Sequence, residues 1–229
     1  MAKRSADDIL IAKRVALELR DGDVVNLGVG IPTLVPDYMP EGKVVYLQSE
    51  NGLLGMGPTP PPEEVDMEFI NASKQPVTAM PGASVFNSAD SFAMIRGGHI
   101  DVCVLGALQV DQTGLIANWL IPGRPILGVG GAMDLVAGAK KIILAMTHTT
   151  KDGKPKLLKQ LTFPKTGIRK ADMVITEKAV FRFENDRMIL LEIQPDLTVD
   201  ELRAMTEAEF DVSAELKPYM VQQEQQTLA

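Results

Sequence analysis

The chain carries VVNLGVGIPTLVPDYMPEGKVVYL between Val24 and Leu47, and this segment indicates the architecture. Its first four residues favour a strand that ends in a Gly-x-Gly turn. Pro32 suits the first turn of a helix that runs to about Met39. The residues from Val44 onward then indicate a second strand. A strand, a helix and another strand in succession are typical of an α/β fold.

Strands and helices alternate in the same way along most of the remaining chain. The other predicted elements are a helix opened by a capping box at Ser5, helices from Ser88 to Arg96, after Gly130-Gly131 and from Thr198, and buried strands at DVCVLG and KIILAM. Residues 172–193 contain β-branched runs split by Asn185-Asp186, which predicts a hairpin. We therefore expect an α/β fold with a three-layer open sheet, mostly parallel, and an antiparallel element near the C-terminus.

The sequence also predicts the domain boundaries. We find no internal repeat and no linker that would divide the chain. Residues 1–217 are therefore expected to form one domain. The polar residues 218–229 are expected to form a mobile tail.

Composition argues against several classes of protein. The 229 residues carry a net charge of −7 and no dense Lys/Arg cluster, so we expect no nucleic-acid partner. No apolar run approaches the ~20 residues that span a bilayer, so no membrane partner is expected. A single cysteine, Cys103, cannot form an internal disulfide, which favours a reducing cytoplasm. With only two histidines and one cysteine, the chain has few of the usual ligands of a transition metal, so we expect no such site. We expect His99, His148 and Cys103 to be structural.

The ends of the predicted strands indicate where a ligand would bind. In open α/β sheets, ligands bind beyond the carboxyl ends of the strands. Residues 26–30, residues 48–52 and the loop before Gly130-Gly131 all lie at such ends, and all contain glycine. We therefore expect the three segments to form one site.

Glu50 is the most conspicuous residue in these segments. It ends an apolar strand in YLQSENGLLGMGP, residues 46–58, and three glycines follow it. A solvated turn carboxylate is one interpretation. The other is a positioned base or nucleophile, with Ser49 and Asn51 holding the carboxylate and the glycines leaving room for a ligand.

Residues 47–55, LQSENGLLG, resemble the active-site signature of family I coenzyme A transferases, in particular the β subunit of the 3-oxoacid and acetate/acetoacetate type. Similar blocks occur in the same order from about Arg14 to Phe210, namely DGDVVNLGVGIPTLV, SFAMIRGGHID, ANWLIPG, GVGGAMDLVAGAKK and ITEKAVFRF. The resemblance implies a CoA-transferase-like fold. It also implies an enzyme that moves CoA between an acyl-CoA and a carboxylic acid.

The resemblance also assigns roles to residues. It implies that Glu50 is the nucleophile, and that a glutamyl-CoA thioester forms on it in a ping-pong reaction. Coenzyme A would then be both a substrate and a covalent intermediate, with no permanently bound cofactor. It favours Gly131 and Ala132 as oxyanion donors over simple helix–strand packing. Asn26 is expected either to lend its amide to the same region or to cap the strand end.

Several further residues are candidates for binding CoA or the substrate. They are Gly28, Gly30, Ser49, Asn51, Gly52, Lys74 and Gly130. The glycines would allow a ligand to come close. Lys74 would neutralise a CoA phosphate or touch the pantetheine arm, or else it is a surface lysine.

The resemblance covers one half of such an enzyme. The chain lacks the Gly-Gly-Phe-type block of the α half, so we expect a separate α subunit in a heterodimer or heterotetramer, with acyl-CoA and small carboxylic acids as ligands. Two other functions remain open. An acyl-CoA hydrolase would let water resolve the glutamyl intermediate. A non-enzymatic sugar-phosphate-sensing domain of similar fold would not need Glu50, and would carry a DNA-binding segment that is not visible here.

Overall fold

A computed structural model describes residues 5–126 and 128–220. The α-helices are α1 (Ala6–Ala16), α2 (Ser88–Arg96), α3 (Ala132–Gly138) and α4 (Val199–Ala204), and 3-10 helices cover Ile31–Tyr38 and Pro62–Glu64. The strands are β1 (Val24–Leu27), β2 (Tyr46–Ser49), β3 (Leu53–Met56), β4 (Ala79–Val85), β5 (Val102–Leu105), β6 (Gln109–Asp111), β7 (Ile116–Ala117), β8 (Lys141–Ala145), β9 (Leu157–Leu158), β10 (Met173–Ile175), β11 (Ala179–Glu184), β12 (Arg187–Ile193) and β13 (Phe210–Pro218).

Local sequence signals explain where the α-helices begin. Ser5 and Asp8 form the predicted reciprocal capping box at α1, and Thr198 and Glu201 form the same arrangement at α4. The helix predicted from Pro32 is a 3-10 helix rather than an α-helix. Pro36 lies inside it and has no N–H to donate to an α-helical ladder, which accounts for the difference.

Ten strands form one sheet in the order β13-β12-β11-β10-β8-β5-β1-β2-β3-β4. The central strands from β10 to β2 are parallel, which confirms the predicted mixed sheet. The predicted hairpin is also confirmed, since β11 and β12 are antiparallel and Asn185 and Asp186 have φ values of 50° and 63°. The sequence did not predict β3 and β4, which extend the sheet antiparallel beyond β2. Strands β7, β6 and β9 form a small second sheet.

Apolar side chains cover both faces of the large sheet. Along β5, Val102 and Val104 face one cluster, which includes α1 and the first 3-10 helix. Cys103 and Leu105 face the other, which includes α2, α3 and α4. This alternation is the two-residue period of a strand, and each large side chain so buried contributes roughly 1.5–3 kcal/mol. The sheet is therefore the middle of three layers, and Cys103 belongs to the core as expected.

The last described residues extend past the expected domain boundary. Strand β13 ends at Pro218, and Tyr219 is buried with its hydroxyl donating to the Thr176 carbonyl at 2.7 Å. Packed structure thus continues two residues beyond 217. The rest of the predicted tail, residues 221–229, lies outside the described residues. Among the helices of the described part, none has the length and apolar character needed to cross a membrane.

Candidate active site

Glu50 lies in the tight turn between β2 and β3, at the carboxyl edge of the sheet. Its half-buried carboxylate accepts a hydrogen bond from the backbone N–H of Gly131, the residue that precedes α3. A Cβ at position 131 would overlap Glu50 Oε2 and lie 2.7 Å from Glu50 Cδ, so only glycine permits this approach. The prediction that these two strand-end segments meet is therefore confirmed.

The surroundings of Glu50 change its acidity. Burial raises the pKa of its carboxyl group, the Gly131 N–H lowers it, and the carboxylate of Asp134 raises it. The net direction is upward. A carboxylate that has lost part of its water shell is a stronger base and nucleophile than one in bulk solvent.

A cavity of about 1180 Å³ opens beside Glu50. Its volume exceeds the roughly 300–1,000 Å³ of typical small-ligand sites, so it has room for more than a short carboxylic acid. The candidate residues that line it are Asn26, Gly28, Ser49, Glu50, Gly130, Gly131 and Ala132. The candidates that do not line it are Gly30, Asn51, Gly52 and Lys74.

Ser49 and Asn51 do not hold the carboxylate, contrary to the sequence interpretation. Ser49 Oγ accepts a hydrogen bond from the Ala72 N–H at 2.9 Å. Asn51 Nδ2 donates to the Ile70 carbonyl at 2.7 Å. Both side chains therefore bond to backbone groups between residues 70 and 72 and not to Glu50. They instead fix the loop that forms one wall of the cavity.

Gly52 also has a structural role rather than the expected binding role. Its φ is 118°, and a Cβ there would overlap the Phe86 carbonyl oxygen. Its own carbonyl accepts from the Phe86 N–H at 2.9 Å. Gly55 is similar, since a Cβ would lie 3.1 Å from the backbone of Ala83. These glycines allow close approach of the strand-forming segment 79–86, not of a ligand.

Ala132 is not available as a second oxyanion donor in this structure. Its N–H donates to the Val129 carbonyl at 3.2 Å and closes the turn before α3. Gly130 lies in the same turn with a φ of 52°, and a Cβ on it would lie 4.0 Å from Glu50 Oε1. The turn therefore presents one donor to Glu50, the N–H of Gly131.

Asn26 is buried in β1 and contacts its register partner Gln48 in β2, which favours a structural role over the catalytic one. Its Nδ2 donates to the Gln48 carbonyl at 3.2 Å and to Gln48 Oε1 at 2.6 Å, so neither amide hydrogen is directed at Glu50. Gln48 Nε2 in turn donates to Ser91 Oγ at 2.8 Å. Gln48, a buried polar residue two positions before Glu50, was not among the residues predicted from the sequence. A glutamine between Leu47 and Ser49 in an apolar strand was the available signal.

The remaining candidates divide between the cavity and the surface. Gly28 lines the cavity, and a Cβ there would lie 3.2 Å from Leu105 Cδ2, so its small size also serves packing. Gly30 has a φ of 86° and precedes the first 3-10 helix. Lys74 is exposed, with a φ of 62°. For Lys74 the structure favours the surface interpretation.

Polar residues that the sequence analysis did not single out also line the cavity. They include Lys43, Asn71, Gln75, Asn118 and Trp119. Asn118 and Trp119 belong to the ANWLIPG block, whose pattern was recognised without assigning a role to any residue. Within residues 5–126 and 128–220, no group of three or more His, Cys, Asp or Glu side chains is arranged to hold a metal ion.

The chain is similar to known proteins in sequence and in fold. The sequence profile described as coenzyme A transferase matches residues 9–204. The beta subunit of the acetate CoA-transferase of Escherichia coli K12 is 53% identical over 206 residues, covering 90% of this chain and 94% of that protein. One subunit of the succinyl-CoA:3-ketoacid coenzyme A transferase of Helicobacter pylori 26695 is 52% identical over 202 residues, covering 88% and 97%.

A solved structure provides a third comparison. The apoenzyme of an acyl-CoA transferase from Escherichia coli O157:H7 superposes with a TM-score of 0.74 at 26% sequence identity. The match covers 95% of this chain and 44% of that chain. This chain therefore spans less than half of that longer polypeptide.

Proposed function

This chain belongs to the coenzyme A transferase family, and from that premise we propose that it is the β subunit of a short-chain acyl CoA transferase of the 3-oxoacid type. It moves CoA between an acyl-CoA and a carboxylic acid through a thioester on Glu50. One observation carries the proposal. A partly desolvated carboxylate, held by the Gly131 N–H, faces a cavity of about 1180 Å³.

The first half of the reaction begins with the ionised Glu50. A carboxylate oxygen attacks the carbonyl carbon of the acyl-CoA thioester, the C–S bond breaks, and CoA leaves as a thiolate. The product is an anhydride between the acyl group and Glu50. The thiolate then attacks the glutamyl carbonyl carbon, the acyl group leaves as a free carboxylate, and a glutamyl-CoA thioester remains.

The second half repeats these steps in reverse order with another acid. The carboxylate of the acceptor attacks the glutamyl carbonyl and expels the CoA thiolate. The thiolate then attacks the acceptor's carbonyl in the mixed anhydride. A new acyl-CoA leaves, and Glu50 is again a carboxylate, so atoms and charge balance over the cycle.

The Gly131 N–H serves both the resting state and the reaction. At rest it binds a Glu50 oxygen. When the thiolate attacks the glutamyl carbonyl, negative charge develops on an oxygen of that same group, and the N–H already lies beside it. Loss of one such donor typically costs about 10²–10³-fold in kcat.

A separate α subunit is part of the proposal. The two relatives described above are each named as one subunit of a transferase, and the single-chain acyl-CoA transferase is more than twice as long as the segment matched here. Both facts support a partner that completes the site in a heterodimer or heterotetramer. A cytoplasmic location is supported by Cys103, which is free and buried in the core.

Mass spectrometry of trapped enzyme tests the proposed function. The chain, co-expressed with its α-type partner, is incubated with an acyl-CoA and no acceptor acid. We expect the peptide containing Glu50 to gain the mass of CoA through a bond that hydroxylamine cleaves. Active enzyme without this adduct would overturn the proposal. An adduct that water discharges as fast as any carboxylic acid does would indicate the hydrolase instead.

A further inference from the structure

Asn118 follows β7 directly, is half-buried, and lines the same cavity as Glu50. Neither the family match nor the mechanism above gives it a role. Its side chain offers both a hydrogen-bond acceptor, Oδ1, and a donor group, Nδ2. The contacts made by each end indicate what this residue does.

Thr166 fixes the acceptor end of Asn118. The backbone N–H of Asn118 donates to Thr166 Oγ1 at 3.1 Å, and the Thr166 hydroxyl donates to Asn118 Oδ1 at 2.7 Å. Thr166 is 1% exposed, and its own N–H donates to the Ile116 carbonyl at 2.7 Å. The orientation of the Asn118 amide is therefore set by a buried residue with little freedom to move.

The donor group of Asn118, Nδ2, is available to a ligand. Among the residues that the structure describes, none accepts a hydrogen bond from Asn118 Nδ2. A donor in a cavity wall with its partner atom Oδ1 already occupied can bind only an acceptor, such as a carbonyl or carboxylate oxygen.

The segment that contains Thr166 also packs against α3, the helix that follows Gly131. Gly167 follows Thr166, and a Cβ on it would lie 3.1 Å from Val136 Cγ1 in α3. Gly131 precedes that helix and binds Glu50. Leu135, also in α3, lines the cavity. Asn118 and Gly131 thus both line the cavity, and the segment that fixes Asn118 packs on the helix that follows Gly131.

We propose that Asn118 donates a side-chain hydrogen bond to a second oxygen of the acyl or acceptor group, outside the reacting carboxyl, and that Thr166 positions it. The inference rests on the proposed function and adds a specificity residue to it. Acids with an additional oxygen, such as 3-oxo acids or dicarboxylates, satisfy the donor. Unsubstituted short-chain acids offer this donor no acceptor, and a site of this kind discriminates against substrates that lack the matching group.

The test compares substrates within one enzyme preparation. Asn118→Leu keeps the approximate shape of the side chain and removes the donor. In the co-expressed complex, kcat/KM is measured for acetoacetate or succinate and for butyrate, and the ratio of the two values is calculated. We expect this ratio to fall about tenfold, the size of one neutral hydrogen bond. Both values are measured on the same preparation, so the fraction of active enzyme cancels in the ratio and partial misfolding does not alter it.

Two variants of Thr166 differ in whether they keep the hydroxyl group that bonds to Asn118. Thr166→Val removes the hydroxyl that orients Asn118, and we expect it to lower the same ratio. Thr166→Ser keeps the hydroxyl and should preserve the ratio even if its thermal stability falls. A purely structural role would lower both kcat/KM values together in all three variants.

Two outcomes would overturn the inference in distinguishable ways. If the wild-type complex shows the CoA adduct on Glu50 but Asn118→Leu leaves the substrate ratio unchanged, Asn118 does not select the substrate. If the wild-type complex shows neither transfer nor adduct, the proposed function fails and this inference fails with it.

Discussion

Replacing Gly131 with alanine should separate the position of the nucleophile from the presence of its hydrogen bond. The added Cβ would lie 2.7 Å from Glu50 Cδ, whereas carbon atoms in contact prefer about 3.5–4.0 Å. The carboxylate must therefore retreat by about 1 Å. A displacement of that size can cost about 10²-fold in rate, or about 2.7 kcal/mol in activation free energy.

The fold should survive this change. Gly131 has φ −82° and ψ 1°, a conformation that alanine adopts, and the clash involves the end of a flexible side chain. The N–H donor is retained. We therefore expect kcat of Gly131→Ala to fall about 10²-fold, with a melting temperature close to wild type.

Gly106→Ala is the control for a methyl group added to the cavity wall away from Glu50, because Gly106 also lines the cavity. A Cβ there would meet no atom closer than the Val29 carbonyl oxygen at 3.8 Å, so it adds a methyl group without a clash. Steady-state transfer rates and thermal melts of both variants would be measured in the complex with the α-type partner. A well-folded Gly131→Ala enzyme with wild-type kcat would refute the reasoning.

Three further predictions follow from Glu50 and His148. Glu50→Gln should abolish both CoA transfer and the CoA adduct. Glu50→Asp should lower the transfer rate about 10²-fold or more, because it withdraws the carboxylate by one methylene. An active Glu50→Gln enzyme would show that Glu50 is not the nucleophile. Because the pKa of Glu50 is raised, the rate of adduct formation should fall with decreasing pH at a value above that of an ordinary glutamate; a rate profile with no such limb would contradict this. Burial, together with the charges of Lys178 and Lys156, lowers the pKa of His148 to about 4, whereas an unfolded histidine titrates near 6.5. The free energy of unfolding should therefore be highest above about pH 6.5 and fall by about 3 kcal/mol toward pH 4, because the unfolded chain binds the proton more readily. Urea unfolding of the wild type and of His148→Asn across this pH range measures the effect, and equal pH slopes would exclude His148 as the cause.

The sequence was sufficient for the layered sheet and for the meeting of Glu50 with Gly131. Both follow from local signals, since strand ends in a parallel sheet lie on one edge. Strands β3 and β4 were missed because LLGM and AMPGASV contain glycine and proline, which weaken a strand pattern. The true partner of Gly52, Phe86, lies 34 residues away in the sequence, and no local pattern reveals such a contact.

The site was predicted less completely than the fold for a related reason. Hydrogen bonds are assigned by three-dimensional neighbours, and a residue type shows only what it can donate or accept. The side-chain amide of Asn26 can donate, yet in the fold it donates to Gln48. The backbone N–H of Ala132 can donate, yet in the fold it donates to the Val129 carbonyl. The sequence can thus nominate polar groups for a site, but only the folded contacts show which remain free for a ligand.

The two borders of the ten-stranded sheet bear on the tendency of the chain to aggregate. A border strand with regular free N–H and C=O groups can recruit another chain and begin aggregation. In β4, Pro81 has no N–H and Gly82 turns the backbone to a φ of 84°, which interrupts regular pairing. In β13, Glu215 and Lys217 place exposed charges on the opposite border. Each border therefore resists growth into a longer sheet by its own chemistry, which disfavours edge-to-edge aggregation of the chain.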